Sequence, residues 1–289
     1  MKKIKSVIPW WLKILSKLIL SRLPVSYNLW KSIGLFEHGQ MESIEYSFQV
    51  FEKHFSKSKL PPQFISLELG PGDSLLSALI AKAHGGSVSY LVDSGNYANQ
   101  NLEIYKSAEK FLKTHYAGTI TFPDTSSLNS LKEICDAYSC HYLTSGLASL
   151  KLLETESIDF IWSQAVLEHV RQAEFLETMV ELRRILKPNG ICSHVVDLRD
   201  HLGGALNNLR FTDKLWESDF MASSGFYTNR IRYSEMLDIF SKAEFLVEVT
   251  HITRWEALPT AKLKMADRFK SFPDSELCIS GFSVLLKPA

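Results

Sequence analysis

The chain has 289 residues, of which 45% are hydrophobic, and its 32 basic and 32 acidic side chains cancel at neutral pH. This length can bury a full core, and α/β folds with insertions reach it as one domain. Because no net charge favours a polyanion, we predict no nucleic-acid partner. The four cysteines form no CxxC pair and no zinc-finger spacing, which favours a reduced cytoplasmic protein.

The first 23 residues combine lysines with an apolar run between Pro9 and Pro24. A helix between these prolines would be about 20 Å long, which is too short to span a bilayer. Its expected apolar face carries Trp11, Ile14, Leu15 and Leu18. Two interpretations remain open: a peripheral contact with the inner face of a membrane, or a helix that forms a lid or a dimer contact.

The next predicted element is a helix at Tyr46–Phe55, with Tyr46, Val50 and Phe51 on its inner side. A Pro61-Pro62 pair then ends any preceding helix. We therefore predict that residues 1–60 form an N-terminal helical cap region that precedes the main domain.

Residues 64–74 change character halfway along. Phe64–Leu69 is apolar and predicts a strand, two glycines follow, and Ser74–Ala83 has helical composition. Such a turn lets the backbone approach a ligand, and the N–H groups of the helix start face it. A dinucleotide fingerprint would have a third glycine where Leu75 stands, so the pyrophosphate interpretation is weakened.

Glu68 precedes Gly70 and Gly72 in the pattern Glu-x-Gly-x-Gly. This pattern resembles motif I of the class I S-adenosylmethionine-dependent methyltransferases, whose cofactor carries an ammonium and a sulfonium rather than phosphates. The resemblance implies that Glu68, Gly70 and Gly72 bind S-adenosylmethionine. A glycine turn in an unrelated α/β protein is the alternative that this motif alone leaves open.

A second strand is predicted at Ser87–Asp93 and ends in a carboxylate 21 residues after Gly72. An acidic residue about 20 positions after the glycine turn is typical of one that binds ribose hydroxyls, so we assign Asp93 to the cofactor. Residues 94–139 exceed one crossover helix and are predicted to be an insertion. Helices are expected there at Asn101–Tyr116 and Ser127–Tyr138.

The third strand is predicted at His141–Thr144. The family usually has an acidic residue shortly afterwards that holds the adenine amino group, but Ser145–Leu150 contains no carboxylate. The resemblance therefore assigns adenine recognition to backbone groups or to Ser145.

Ser157–Val170 pairs an apolar strand with a polar turn and resembles the fourth-strand motif of the same family. There, the segment after the strand lines the methionine portion of the cofactor, so the resemblance places Gln164 in the cofactor site. His169 is a candidate base for a substrate hydroxyl. The alternative is that Glu168 and His169 cap the following helix and fix the loop.

A helix at Glu174–Leu186, a turn at Lys187–Gly190 and a fifth strand at Ile191–Asp197 extend the matched region. The resemblance implies an α/β, three-layer Rossmann-like methyltransferase fold. Its seven-stranded, mostly parallel sheet ends in a C-terminal antiparallel hairpin. We predict a methyltransferase domain at residues 61–289 with insertions at 94–139 and 198–232.

The loop after the fifth strand carries Asp197, Asp200 and His201, at the sheet edge where open α/β sheets bind ligands. Asp197 and His201 suit deprotonation of a hydroxyl, which O-methylation needs. A divalent cation is a weaker interpretation of one imidazole and two carboxylates, and we predict no metal site. For Asp200, loop capping is the favoured role.

Residues 206–232 are rich in aromatic, amide and guanidinium groups, which suit stacking on a sugar or a lid that folds on itself. We predict an enzyme that O-methylates a small-molecule or glycan-like acceptor, with His169, Asp197 and His201 as catalytic residues. The alternative is a membrane-associated binding or scaffold protein that keeps this fold without catalysis.

Overall fold

The structure is a computed structural model that describes residues 9–20, 41–116 and 120–289. Residues 1–8, 21–40 and 117–119, with the parts of the predicted cap region and insertion that fall on them, lie outside this description. Seven strands form one sheet: β1 (Ile65–Leu69), β2 (Val88–Val92), β3 (Cys140–Leu143), β4 (Ile158–Gln164), β5 (Leu186–Asp197), β6 (Phe245–Arg254) and β7 (Ile279–Pro288).

The strand order is β3-β2-β1-β4-β5-β7-β6. Strands β1 to β5 are parallel, whereas β7 lies antiparallel to both β5 and β6. This confirms the predicted Rossmann-like sheet with its antiparallel C-terminal strands. Because the chain order reverses between β1 and β4, their carboxyl ends border the crevice in which such sheets bind ligands.

The helices of the described residues are α1 (Trp10–Leu20), α2 (Ile44–Phe55), α3 (Leu76–Ala83), α4 (Leu102–His115), α5 (Leu131–Ala137), α6 (Leu147–Lys151), α7 (Gln172–Ile185), α8 (Asp213–Trp216), α9 (Asp219–Ala222), α10 (Tyr233–Lys242), α11 (Asp267–Lys270) and α12 (Asp274–Leu277).

Helices cover both faces of the sheet, because side chains alternate along each strand. Phe160 and Trp162 of β4 pack in one core with α2, α3 and α4, whereas Ile161 packs in a second core with α7 and α10. The predicted helices at Asn101–Tyr116 and Ser127–Tyr138 are confirmed as α4 and α5. Each begins at an N-cap, Asn101 and Ser130, whose side-chain oxygen accepts a backbone N–H.

Two local predictions were wrong. Tyr46 is 36% exposed, and the buried side of α2 carries Ser47, Val50, Phe51 and His54. The predicted turn at Lys187–Gly190 is part of β5, where the pairing with β4 is irregular between Ile158 and Phe160. A proline and a glycine show that a helix ends, but they are compatible with either a turn or an irregular strand after it.

Helix α1 packs against the segment that follows β5. Its Ile14 is buried in a cluster with Leu202, Trp216, Phe226 and Tyr227. The sequence left two roles open for the aromatic side chains of this segment: stacking on a sugar, or a lid that folds on itself. Trp216 and Phe226 pack on each other, as in the second interpretation. Within the described ranges, no helix combines the length and apolar character needed to cross a bilayer.

Candidate active site

The glycine turn after β1 and the carboxylate after β2 lie against each other. Gly70 and Gly72 have φ values of +73° and +64°, which favour glycine. The backbone N–H of Gly72 donates to Asp93 Oδ2 (3.0 Å), and the N–H of Ser94 donates to Asp93 Oδ1 (2.7 Å). The structure thus brings the glycine turn at Gly70 and Gly72 into direct contact with Asp93. Since each carboxylate oxygen has two lone pairs, Asp93 retains acceptor capacity for ribose hydroxyls.

Glu68 lies beneath this turn and is only 3% exposed. Its Oε2 accepts a hydrogen bond from the hydroxyl of Ser77 in α3. Burial raises the pKa of Glu68 from 4.5 to about 8; the hydrogen bond from Ser77 opposes the rise, and the charge of Asp93 adds to it. This placement favours a role in bracing the turn over an exposed contact with the cofactor.

The raised pKa of Glu68 predicts a pH-dependent stability. The folded state holds this proton more tightly than the unfolded state, so the free energy of unfolding falls as pH rises from about 4.5 to about 8. At roughly 1.4 kcal/mol per pKa unit, the full loss is roughly 3–5 kcal/mol. We expect Glu68→Gln to remove this component of the pH dependence in urea unfolding between pH 5 and pH 8. The exposed-site control Glu248→Gln should follow the parent; equal slopes in all three proteins would contradict the assignment.

The third strand brings Ser145 to the same edge. Gly146 donates its N–H to the backbone carbonyl of Asp93 (2.8 Å), and the exposed Ser145 donates its N–H to the hydroxyl of Ser149 (3.0 Å). Ser145 is therefore close in space to Asp93, as a residue of the adenosine end of a cofactor site should be. Its assignment to the adenine stays a prediction.

The turn after β4 packs directly on the glycine turn. A Cβ added to Gly70 would lie 2.5 and 2.6 Å from the two methyl carbons of Val166. Ala165, between β4 and Val166, has a φ of +55°. The two motifs found in the sequence are therefore in contact, although the sequence reasoning did not single out Val166.

Gln164, at the carboxyl end of β4, is held by a histidine that the sequence analysis missed. His54 of α2 lies between Gln164 Oε1 (3.2 Å from Nε2) and the Ser193 hydroxyl (2.8 Å from Nδ1). Burial lowers the pKa of His54 to about 4, so the ring is neutral at pH 7. A lone histidine in a predicted helix carries no signal that could have identified this contact.

The two candidate bases meet although they are 32 positions apart. The rings of His169 and His201 make an edge-to-face contact with centroids 4.6 Å apart. His169 lies in a short 3-10 turn after β4, and His201 lies in the loop after β5. Two imidazoles at the carboxyl edge of the sheet can accept or pass a proton, which is what removal of a hydroxyl proton requires.

The turn that carries His169 is fixed by the segment of residues 198–232. The side chain of Asn229 donates to the carbonyls of Leu167 (2.8 Å) and Val170 (2.9 Å), and its backbone N–H donates to the carbonyl of Glu168 (2.7 Å). His169 Nδ1 lies 2.8 Å from the carbonyl of Tyr227. These residues, which the sequence placed on the substrate side, position the turn.

The two aspartates of the β5 loop have different surroundings. Burial would raise the pKa of Asp197, but its hydrogen bonds with Arg199 and that cation's charge outweigh the effect and lower it. Asp200 accepts backbone N–H groups of Leu202, Gly203, Ala205 and Asn207. Asp200 therefore caps its own loop, whereas Asp197 is an ionised side chain near His201.

A surface groove of about 390 Å³ lies between α2 and α4 and is lined in part by Glu42, Glu45 and Glu103. None of the predicted site residues lines it. The site described here is instead defined by the edge at which the turns after β1, β2, β4 and β5 converge.

Residues 67–193 match the family model described as a methyltransferase domain. The match begins in β1 and ends in β5, so it includes the glycine turn, Asp93 and the His169 turn. A comparison with curated proteins gave no match.

Several solved structures are similar. The YcgJ protein of Bacillus subtilis has 14% identity, covers 85% of this chain and 99% of its own, and gives a TM-score of 0.47. An S-adenosylmethionine-dependent methyltransferase from Methanosarcina mazei has 14% identity, coverage of 83% and 96%, and a TM-score of 0.47. Phosphoethanolamine N-methyltransferase 2 of Haemonchus contortus, solved with phosphomonomethylethanolamine and S-adenosylhomocysteine, has 14% identity, coverage of 84% and 53%, and a TM-score of 0.44.

The residues at this edge fit a sulfonium cofactor. Asp93 supplies a carboxylate for hydroxyl groups, and the turn at Gly70 and Gly72 supplies close backbone approach at the start of a helix. When bound, the cofactor supplies an activated methyl group and a neutral thioether leaving group. The match of residues 67–193, the strand order and this edge are those expected of a methyltransferase domain that uses S-adenosylmethionine.

Proposed function

We propose that the enzyme transfers the methyl group to a hydroxyl oxygen of a small-molecule or glycan-like acceptor. The observation that supports this proposal is the contact between the His169 and His201 rings, with the ionised Asp197 nearby. An alcohol is a poor nucleophile until its proton leaves, whereas a neutral amine needs no such base. A pair of imidazoles beside the cofactor edge therefore favours an oxygen acceptor.

The proposed reaction needs two contributions from the chain before the chemical step. The turns after β1 and β2 hold the donor, and the turn fixed by Asn229 presents His169. With S-adenosylmethionine bound, the acceptor oxygen would form a bond to the methyl carbon while the bond from that carbon to sulfur broke and released a neutral thioether. An imidazole would take the hydroxyl proton.

The test is methyl transfer from labelled S-adenosylmethionine to matched acceptors that differ in one group, hydroxyl or amine. We expect label in the hydroxyl compounds, as an ether that survives alkaline hydrolysis. His201→Ala should lower kcat by roughly 10²- to 10⁴-fold, the usual size of a general-base contribution. The exposed-histidine variant His251→Ala is the control. Transfer only to amines, or full turnover by His201→Ala, would contradict the proposal.

We also propose that α1 binds an anionic membrane surface. While Trp10, Ile14 and Leu18 pack on the protein, the neighbouring face exposes 55% of Trp11, 49% of Leu15 and 57% of Ile19. These three side chains repeat every fourth residue and so form one exposed stripe. Residues 1–36 contain seven basic residues and no acidic one. An apolar stripe among cations suits the interface of an anionic bilayer.

Vesicle sedimentation tests this contact with the full chain. We expect binding to vesicles that contain anionic phosphatidylglycerol, and weaker binding to neutral phosphatidylcholine vesicles. Changing Trp11, Leu15 and Ile19 together to glutamine should reduce binding roughly 100-fold, at about 1 kcal/mol for each apolar side chain. Leu176→Gln with Val180→Gln, on the exposed side of α7, is the control. If the triple variant binds vesicles normally but loses a dimer in light scattering, the stripe is a protein contact instead.

A further inference from the structure

Three side chains with metal-binding atoms converge where the turn after β4 meets the loop after β5. Glu168 and His169 are adjacent in the 3-10 turn, and His201 comes from the loop. One ligand atom from each lies within 4.8 Å of the other two. The sequence did not reveal this group, because its members belong to two segments that only the fold brings together.

Glu168 gives an independent indication that something is bound here. Its side chain is 2% exposed, and neither carboxylate oxygen has a hydrogen-bond partner among the described residues. A buried carboxylate without a partner is costly unless it is protonated or compensated by a cation.

The environment of His169 suits a ligand. A backbone carbonyl only accepts hydrogen bonds, so the 2.8 Å contact with Tyr227 requires the proton to be on His169 Nδ1. In the neutral ring the lone pair is then on Nε2. A carbonyl that fixes the tautomer and the orientation of a ligating imidazole is the usual second layer of a protein metal site.

Water is the simpler occupant of a small cavity that Glu168 also lines. This cavity has room for about one water molecule, and its other lining residues include Asn208, Arg230 and Arg232. Asn208 Oδ1 and the Nε atoms of both arginines also lack hydrogen-bond partners among the described residues. A water can satisfy these groups, but it brings no charge to compensate the carboxylate.

We propose that Glu168, His169 and His201 bind a divalent transition-metal ion. Two imidazoles and one carboxylate form a donor set typical of Zn²⁺, Mn²⁺ or Co²⁺, and not the all-oxygen set of Ca²⁺ or Mg²⁺. Ligand atoms at about 2.1 Å from a tetrahedral ion lie about 3.4 Å apart, so closure from separations within 4.8 Å needs a shift of at most about 1.4 Å. His169 is exposed and His201 is half-buried, so an ion can reach this group from solvent.

The site has a consequence for the reaction, and that consequence rests on the proposed function, whereas metal binding does not. A three-ligand site keeps an open position, and an acceptor hydroxyl bound there loses its proton more readily. The two histidines would then activate the acceptor through the ion instead of taking its proton directly.

Direct binding measurements test the site without turnover. Zn²⁺, Mn²⁺ and Co²⁺ are titrated into the chelator-treated full chain by calorimetry, and bound Co²⁺ is observed by its visible absorption. We expect one ion per chain and a rise in Tm with metal concentration. Glu168→Gln and His201→Ala should each weaken metal binding by at least about 10- to 100-fold in Kd. This is the usual cost of losing a residue that only hydrogen-bonds to a ligand, and losing a ligand itself costs no less.

His251→Ala should bind metal as the parent does, since that histidine is exposed on β6. Circular dichroism of Glu168→Gln and His201→Ala, compared with the parent, separates loss of a ligand from loss of the fold. The proposal is overturned if none of the three ions binds, or if the folded Glu168→Gln and His201→Ala variants bind with the parent's Kd. Metal binding without O-methylation would support this site and refute the proposed acceptor.

Discussion

Asp93→Ala is expected to weaken binding of S-adenosylmethionine by about 30- to 900-fold. Two hydrogen bonds from ribose hydroxyls to a carboxylate contribute roughly 2–4 kcal/mol together, and each 1.4 kcal/mol is tenfold in Kd. The same substitution removes the acceptor that holds the N–H groups of Gly72 and Ser94. Calorimetry with the cofactor measures the loss.

Two comparisons isolate the cofactor contact of Asp93. Asp93→Asn retains the shape and one acceptor oxygen, so its Kd should lie between those of the parent and Asp93→Ala. Asp136→Ala removes an exposed aspartate that is paired with Lys132 on α5 and should leave Kd unchanged. Thermal unfolding without cofactor shows whether the glycine turn survives. An Asp93→Ala protein that is folded and binds with the parent's Kd would refute the assignment of Asp93 to the ribose.

Gly70→Ala is expected to destabilise the protein by roughly 2–5 kcal/mol. The left-handed backbone at φ +73° costs a non-glycine residue about 1–2 kcal/mol, and overpacking adds about 1–3 kcal/mol. The overpacking arises because the new Cβ would lie 2.5 and 2.6 Å from the methyl carbons of Val166. Urea unfolding measures the change in the free energy of unfolding.

The chain offers a matched control and a rescue for Gly70→Ala. Gly204 also has a φ of +73°, but a Cβ added there would meet nothing within 4 Å, so Gly204→Ala should lose only the backbone contribution. In the Gly70→Ala background, Val166→Ala removes the two colliding methyl groups and should recover part of the loss. Equal destabilisation by Gly70→Ala and Gly204→Ala, with no coupling to Val166, would show that the two motif turns do not press on each other.

The strands of the sheet were predictable because their pattern is local. Apolar runs ended by a glycine or an acid marked β1 and β2, and the structure places both strands within one residue of the prediction. The contact between the glycine turn and Asp93 was also predictable, since the turn chemistry and the 21-residue spacing are both properties of the sequence.

The N-terminal helix shows where the pattern is insufficient. Its apolar residues were assigned to one face, but Ile14 is buried whereas Trp11 and Leu15 are exposed. When a helix is apolar around much of its circumference, its sequence does not show which side packs on the protein. An apolar side chain is suited equally to a protein core and to lipid. Only packing against Leu202 and Trp216 decides it.

Taken by itself, the sequence determined the fold class, the methyl donor and the glycine turn between β1 and α3, because each depends on residue types at short, fixed spacings. The tertiary structure alone decided that Glu68 is buried under the turn, that Val166 closes on Gly70, and that Glu168, His169 and His201 form one group. The physical reason is that burial and convergence depend on distances between segments far apart in the chain, and the packing of the sheet and its covering segments sets those distances.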